Sequence, residues 1–345
     1  MRPPEAGHGG DVLRLRRRLH LGQHGRAVVG AQHAAPTIWL CPGQGAQKVG
    51  MGKDLAQRFP AARAVFDAID EALGVPLSRT MFEGPEEDLT ATQNAQPAIL
   101  AHSAAVFAIV RDKVDDVVAA AGHSLGEYSA YVTATALGSP QAAKLVRRRG
   151  ELMQKAGDER PGTMAAVLGL PTKDVEAACA EASQQASLAV AANINAPDQT
   201  VISGDPDAVT RASEACKKRG AKRVMLLKVS GAFHSPLMGP AKNHLELALQ
   251  RAEFADPAFP VIANATAETV KEAGRARRLL ADQLTSPVRW VECMEHAARV
   301  GGEGARFIEI GPGAVLAGLL KRIVPGANVV SLGTADDVTR FMDAA

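Results

Sequence analysis

Residues 117–128 read VVAAAGHSLGEY, an apolar run that leads into a serine flanked by two glycines. The apolar residues predict a buried strand, and the residues after the serine are compatible with a helix. The segment Gly122–Gly126 fits the pattern G-x-S-x-G, in which the glycines let the chain turn sharply from strand to helix and leave the serine hydroxyl exposed. An ordinary structural turn is the alternative interpretation. Because the strand and the helix that the pattern requires are both predicted, we expect Ser124 to be a nucleophile.

The predicted elements on either side extend this unit into an α/β fold. Upstream, the apolar run 37–41 predicts a second buried strand, which ends at a glycine-rich loop over 43–47. Between 161 and 231, four strands and two helices in the order βαββαβ indicate a ferredoxin-like unit. The predicted strands after 117–121 are 163–169, 187–192, 199–204, 223–230, 260–263, 305–310 and 328–331. The predicted helices other than 127–131 are 53–74, 97–113, 139–157, 172–183, 206–219, 236–251, 276–285, 289–299 and 314–323.

These patterns divide the chain into three parts. Residues 37–160 and 232–345 form a large α/β-hydrolase-like catalytic subdomain, and residues 161–231 form a small ferredoxin-like subdomain inserted into it. Residues 1–36 contain six arginines, two acidic residues and no serine. We expect this basic tail to be disordered, or to result from a start codon placed too early. An organelle transit peptide is the alternative, which the absence of serine disfavours.

Charge and composition disfavour several classes of function. The chain of 345 residues has a net charge of +2, and the residues after 36 together carry −2, which argues against a nucleic-acid partner. No apolar run reaches the roughly 18 residues of a membrane helix, so we expect no membrane association. The four cysteines are far apart and form no zinc-binding pattern. Buried, reduced thiols, no metal and a cytoplasmic location are therefore expected.

A serine nucleophile needs a base, and His234 is the leading candidate among the nine histidines. It lies in a loop after a predicted strand, where catalytic groups concentrate. His123 adjoins the serine, but the alternation of side chains along a strand predicts that it points to the opposite face. Packing or surface roles are expected for three helical histidines, His102, His244 and His296.

Arg149 lies within the apolar stripe of the predicted helix 139–157, four residues after Leu145. A guanidinium on a buried face needs an anion, because its desolvation is otherwise costly. Two alternatives stay open at this point. Arg149 binds a substrate carboxylate in a bidentate manner, or it reaches out to water or to a carboxylate of the protein.

The glycine-rich loop 43–47 follows a buried strand, and its glycines permit close approach of the backbone to a ligand. It can supply one N–H group to an oxyanion, while the amide of Leu125 supplies another from the turn at Ser124. The alternative is a phosphate-binding loop, which the absence of a Lys-Ser/Thr ending disfavours.

Four segments resemble the malonyl-CoA:acyl carrier protein transacylase family in sequence, order and spacing. They are PGQGAQ at 42–47, GHSLGEY at 122–128, RGELMQ at 149–154 and GAFHS at 231–235. Further similar segments are 93–97, 193–204, 283–290 and 309–313, so that the resemblance extends over residues 37–335.

The resemblance implies a role for each matching position. Ser124 is the nucleophile and His234 the base, whose imidazole is held by the backbone carbonyl of Gln283. Arg149 binds the free carboxylate of a malonyl group. The remaining implied site residues are two oxyanion-hole amides, Gln44 and Leu125, and three pocket-lining side chains, Gln96, Asn195 and Phe233. A phenylalanine just before the histidine is typical of domains that select malonyl over methylmalonyl units, and a ring there crowds an α-methyl group.

The implied activity is ping-pong transfer of a malonyl group from malonyl-CoA, through an acyl-serine, to the phosphopantetheine thiol of acyl carrier protein. The resemblance implies no cofactor, a monomer, and a basic patch near the site for the acidic carrier. It leaves fatty acid and polyketide synthesis open. Two rivals remain: a serine esterase or thioesterase, and an inactive protein that binds acyl groups or carriers. A buried Arg149 disfavours the esterase, because neutral esters offer it no partner.

Overall fold

A computed structural model of the chain describes residues 35–229 and 231–344. Predictions for residues 1–34, among them the disordered tail and the transit peptide, lie outside these ranges. The described residues belong to one compact unit. Their strands form two sheets, one of six strands and one of four.

The strands and helices of the described residues are numbered in chain order. The strands are β1 Thr37–Cys41, β2 Val117–Gly122, β3 Thr163–Leu168, β4 Ala189–Ala196, β5 Gln199–Gly204, β6 Arg223–Leu226, β7 Val261–Ile262, β8 Thr269–Val270, β9 Arg306–Ile310 and β10 Asn328–Leu332. The helices are α1 Lys53–Arg58, α2 Pro60–Leu73, α3 Leu77–Glu83, α4 Glu86–Thr90, α5 Thr92–Val110, α6 Gly126–Thr133, α7 Ser139–Glu159, α8 Thr172–Ala182, α9 Pro206–Lys218, α10 Gly239–Arg251, α11 Ala273–Asp282, α12 Trp290–Gly301, α13 Val315–Ile323 and α14 Ala335–Ala344. Short 3-10 turns cover Arg111–Lys113 and Pro236–Met238.

The larger sheet has the strand order β10-β9-β1-β2-β7-β8 and is parallel except for the short β8. All five residues of β1 are buried, as its apolar run predicts. Alternate side chains of β1 enter two different cores: Trp39 belongs to the core that includes residues of α5, α6 and α7, whereas Leu40 belongs to the core that includes residues of α12 and α13. The register pairs Cys41 with Gly122, so β1 and β2 end side by side. The loops that follow them therefore meet at the carboxyl edge of the sheet, where α/β folds bind ligands.

The smaller sheet is antiparallel, with the order β4-β5-β3-β6. Its strands occur in the chain with α8 and α9 in the order βαββαβ, and both helices pack on a core of their own beneath the sheet. This order of strands and helices is that of a ferredoxin-like unit. The predicted α/β fold class is thereby confirmed. The subdomain boundaries at 160/161 and 231/232 stay predictions.

The smaller sheet is joined to the larger one along β4. The amide of Ile194 donates to the carbonyl of Val288 (2.9 Å), and the amide of Val288 donates to the carbonyl of Ala192 (2.8 Å). Val288 lies just before α12, which packs against the larger sheet. This backbone pairing fixes β4 as a wall beside the carboxyl edge of the larger sheet.

Several predicted element bounds differ from the structure. The predicted helix 53–74 is two helices, because a residue before proline avoids helical angles: Phe59 is extended, and Pro60 begins α2. The predicted helix 97–113 begins at Thr92, with Pro97 inside it. The predicted strand 223–230 ends at Leu226. Four elements were not predicted, α3, α4, β8 and α14.

Two expectations from composition concern the whole chain. All four cysteines are buried, as expected, and none is in a disulfide in the structure. Across residues 35–229 and 231–344, no helix has both the length and the apolar character needed to cross a membrane.

Candidate active site

The turn between β2 and α6 carries Ser124 in the left-handed region, with φ of 53°. The two flanking glycines are required by close backbone contacts. A Cβ atom on Gly122 would lie 1.9 Å from the carbonyl oxygen of Gly126, and one on Gly126 would lie 2.2 Å from that of Cys41. Asn264, after β7, holds the turn: its Oδ1 accepts from the Ser124 amide (2.7 Å), and its Nδ2 donates to the Gly122 carbonyl (2.8 Å). The sequence pattern therefore corresponds to a strained turn that presents Ser124 at the start of α6.

Replacing Gly126 with alanine is expected to destabilise the fold by about 1–3 kcal/mol, because the added methyl group meets backbone that cannot move aside. Alanine is otherwise the better helix former by roughly 1 kcal/mol. Gly318, an exposed glycine inside α13 with no atom near its Cβ position, is the matched control. Gly318→Ala is expected to leave the urea unfolding midpoint unchanged or to raise it. Equal midpoints for the two variants would contradict this account of the turn.

His234 lies within hydrogen-bonding distance of Ser124 and is fixed by the backbone. Ser124 Oγ and His234 Nε2 are 2.8 Å apart, and His234 Nδ1 lies 2.9 Å from the carbonyl oxygen of Gln283. A carbonyl only accepts, so Nδ1 carries the proton and Nε2 is free to accept the serine proton. Burial, and after it the guanidinium of Arg149, lowers the pKa of His234 to about 3. The imidazole is therefore neutral at neutral pH, as a general base must be.

Arg149, on α7, points its guanidinium at the same serine and is only 1% exposed. Its Nη1 donates to Gln96 Oε1 (2.7 Å), and its Nη2 donates to Ser124 Oγ (3.0 Å) and to Gln283 Oε1 (2.9 Å). Burial excludes the alternative in which the side chain reaches water. None of the ion pairs among the described residues involves Arg149, so it has no protein carboxylate at salt-bridge distance either. Its guanidinium meets two amide oxygens and one hydroxyl, and the binding of a substrate carboxylate stays a prediction.

The two expected oxyanion donors lie on the adjoining loops. Gln44 follows β1 and lines the cavity described below, and Leu125 directly follows Ser124 and is buried. Within residues 35–229 and 231–344, neither backbone amide donates to a protein acceptor. Both N–H groups are therefore available to a ligand oxygen.

A cavity of about 1080 Å³ opens between the two sheets and contains Ser124 and His234 in its wall. From the smaller sheet it is lined by Asn195 and its neighbours on β3 to β5, and beside the base by Phe233, which is 5% exposed. Gln96 was expected to line this pocket as well. Gln96 is fully buried and bonded to Arg149 and to the Met153 sulfur, and neither Gln96 nor Arg149 is part of the cavity wall.

The expectation that His123 points away from the site is wrong. His123 lines the same cavity as Ser124, and its Nε2 is 2.8 Å from Oδ1 of Asn195 on β4. Side chains alternate only along an extended strand. β2 ends at Gly122, so His123 already lies outside the strand, just before the left-handed backbone at Ser124.

Sequence patterns alone did not reveal three contributions to the site. The side chain of Gln283, expected to act only through its carbonyl, bonds both Arg149 and Glu127. Glu127 itself is fully buried in α6, and Asn264 holds the serine turn. Two signals could have indicated them: an acidic residue inside a buried helix pattern, and a polar residue after the strand next to β2.

The chain matches the family model described as acyl transferase domain over residues 38–342. It is 44% identical over 286 residues to the malonyl CoA-acyl carrier protein transacylase of Bacillus subtilis (strain 168), covering 83% of this chain and 89% of that protein. It is 41% identical over 302 residues to the protein of the same name from Haemophilus influenzae, covering 87% and 95%.

Solved structures give the same result in three dimensions. An acyl carrier protein S-malonyltransferase from Vibrio cholerae superimposes with a TM-score of 0.84 at 40% identity, covering 89% of this chain and 99% of that one. A malonyl-transacylase solved in complex with its type II PKS acyl-carrier protein superimposes with a TM-score of 0.86 at 39% identity, covering 90% and 100%.

Proposed function

The chain belongs to the acyl transferase family, and on that premise we propose that it transfers a malonyl group from malonyl-CoA to the phosphopantetheine thiol of acyl carrier protein. One observation supports this function above the others. A buried guanidinium with no protein carboxylate in direct contact donates a hydrogen bond to the hydroxyl of the candidate nucleophile, Arg149 Nη2 to Ser124 Oγ at 3.0 Å. An acyl group bound to Ser124 therefore extends beside a cation, which suits a group with a free carboxylate.

The first half-reaction makes an ester on Ser124. Its Oγ attacks the thioester carbonyl while His234 Nε2 takes the hydroxyl proton. The oxyanion that forms receives hydrogen bonds from the amides of Gln44 and Leu125. When the carbon–sulfur bond breaks, His234 returns the proton to the sulfur, and coenzyme A leaves as a thiol.

The second half-reaction runs the same steps with a different thiol. The phosphopantetheine thiol of the carrier enters the cavity, His234 takes its proton, and the sulfur attacks the ester carbonyl. The carbon–oxygen bond then breaks, and the proton passes to Ser124 Oγ, which restores the free enzyme. His234 needs no carboxylate partner in either half, because the Gln283 carbonyl already fixes its tautomer.

Arg149 gives this chemistry its donor preference. In the acylated enzyme the malonyl carboxylate takes the Nη2 hydrogen bond that Ser124 Oγ otherwise accepts. Gln96 and Gln283 hold the guanidinium through neutral amides, so its charge stays available to the substrate. Neutral ester substrates lack this partner, which is why we favour the transferase over a serine esterase.

The carrier, the oligomeric state and the location complete the proposal. A relative was solved with a type II PKS acyl-carrier protein, and an acyl carrier protein of fatty acid or polyketide synthesis is the partner that we propose here. We propose further that the enzyme acts as a monomer in the cytoplasm, with no nucleic-acid or membrane partner and no cofactor. The buried, unpaired thiols are consistent with that location.

Loading with malonyl-CoA tests the function directly. After incubation without a carrier, mass spectrometry is expected to find one malonyl group on the peptide that contains Ser124. Adding holo-carrier protein is expected to remove that group and to place it on the carrier. A carrier that lacks phosphopantetheine is the control and is expected to leave the adduct in place. A protein that loads no malonyl group on Ser124 would contradict the proposal.

A further inference from the structure

Glu127 is a buried acid that no step of the proposed mechanism uses. It lies three residues after Ser124 in α6, a helix whose residues are all buried, and it is 0% exposed. Its Oε2 accepts two hydrogen bonds, from Gln283 Nε2 (2.7 Å) and from the Asn264 amide (2.9 Å). Burial raises the pKa of Glu127 to about 7. Because such burial is costly, a specific role for the carboxyl group is expected.

One of the two hydrogen bonds of Glu127 leads through Asn264 to the nucleophile. The amide of Asn264 donates to Glu127, and the Asn264 side chain bonds both Ser124 N and Gly122 O. The carboxylate thus fixes the residue that holds the left-handed turn at Ser124.

The other hydrogen bond of Glu127 leads through Gln283 to the guanidinium of Arg149. Gln283 Nε2 donates to Glu127 Oε2 at 2.7 Å and to the Ser124 carbonyl at 3.0 Å, whereas Gln283 Oε1 accepts from Arg149 Nη2 at 2.9 Å. Gln283 Nε2 also lies 3.3 Å from Asn264 Oδ1, so a reversed amide would place Oε1 against three acceptors and Nε2 against the guanidinium. Only one amide orientation therefore satisfies all four neighbours, and the carboxylate of Glu127 is the strongest acceptor among them.

We propose that Glu127 is a positioning residue for the donor acyl group: through the Gln283 amide it orients Arg149 toward the acyl carboxylate, without itself touching substrate. This inference rests on the proposed malonyl transfer. Arg149 binds the acyl carboxylate, and Glu127 orients Arg149.

The test compares Glu127→Gln with wild type in the acylation of Ser124 by malonyl-CoA and by acetyl-CoA. Glutamine keeps the shape and one acceptor oxygen but removes the charge, and the assays are run at pH 8, above the pKa of Glu127 of about 7, where the wild-type carboxyl group is mostly ionised. The value of kcat/KM for malonyl-CoA is expected to fall by about tenfold or more, chiefly through KM, because a hydrogen bond to a charged acceptor is replaced by a neutral one. Acetyl transfer has no carboxylate to align and is expected to fall less. The malonyl-to-acetyl ratio therefore decreases.

Glu309→Gln is the matched control. Glu309 is also fully buried and accepts from two helix amides, Leu316 N and Ala317 N, and from Ser331 Oγ, with no hydrogen bond to the Ser124 network. Its variant is expected to unfold at lower urea concentration and to keep the wild-type ratio of the two donors.

A second variant tests whether the effect of Glu127 passes through the side-chain amide of Gln283. It is used alone if Glu127→Gln folds poorly. Gln283→Met keeps the backbone carbonyl that holds His234 and removes the side-chain amide. It is expected to lower the donor ratio in the same direction, and the double variant is expected to lower it no further. Equal losses for both donors, or additive losses in the double variant, would overturn the role of Glu127. A wild-type protein that fails to load malonyl would instead overturn the proposed function.

Discussion

Replacing Ser124 with alanine is expected to lower malonyl transfer to the carrier by about 10⁴-fold or more, since a nucleophile that acts as a unit with its base leaves little activity when it is removed. The reason is specific to this site. Ser124 Oγ is the hydroxyl within hydrogen-bonding distance of His234 Nε2, at 2.8 Å, and it also accepts from Arg149. The measurement is steady-state transfer to holo-carrier, together with the mass of the protein after incubation with malonyl-CoA.

Ser129 provides the matched control for that variant. It lies on α6, the helix that follows Ser124, is 2% exposed, and its hydroxyl finds no partner among the described residues. Ser129→Ala is expected to keep close to wild-type activity, and carrier binding is expected to survive in both variants. Retention of transfer by Ser124→Ala would mean that another group carries the acyl chain. Wild-type protein that binds carrier without any turnover would instead favour the inactive docking protein.

The turn at Ser124 was predictable from sequence because its cause is local. Two glycines flank the serine, and the structure shows the backbone contacts that exclude any larger residue at both positions. The strand before it and the helix after it follow from apolar pattern alone. The break at Pro60, which the predicted helix 53–74 missed, also has a local cause, because a residue before proline avoids helical angles.

The buried position of Arg149 was predictable as well, since it depends on helical periodicity in α7. Its partners were not. Besides the Ser124 hydroxyl, they are two neutral amides, Gln96 and Gln283, that lie 53 and 134 residues away in the chain. A hydrogen bond between such distant residues depends on the packing of several elements, which no local pattern encodes.

His123 shows where a local rule fails at a functional site. The alternation rule holds only as far as the strand continues, and β2 ends at Gly122, just before His123 and the left-handed backbone of Ser124. The strain is needed to expose the hydroxyl, so the departure from the rule and the function have one cause. Glu127 is a related case. Its position within a buried helix could be predicted from the sequence, but its hydrogen bonds with Asn264 and Gln283 could not.

Replacing Arg149 with alanine is expected to change which donor the enzyme uses. Malonyl loading of Ser124 is expected to fall by about 10²- to 10³-fold, the loss of one or two charge-assisted hydrogen bonds of roughly 1.5–3 kcal/mol each. Acetyl loading is expected to fall much less, because an acetyl group makes no such bond. The measurement is kcat/KM for the two donors with one carrier protein, in which the ratio of the values cancels differences in folded fraction.

Arg148 and a lysine at position 149 make this prediction specific. Arg148 is the preceding residue on α7, about half exposed and paired with Glu151, so Arg148→Ala is expected to leave the donor ratio unchanged. Arg149→Lys keeps the charge but lacks the planar fork that bonds Gln96, Gln283 and Ser124 together, so it is expected to recover only part of the malonyl preference. Parallel losses for both donors in Arg149→Ala would contradict the carboxylate role. Arg149 would then act only by supporting Ser124, because its Nη2 donates to Ser124 Oγ in the free enzyme whichever donor binds.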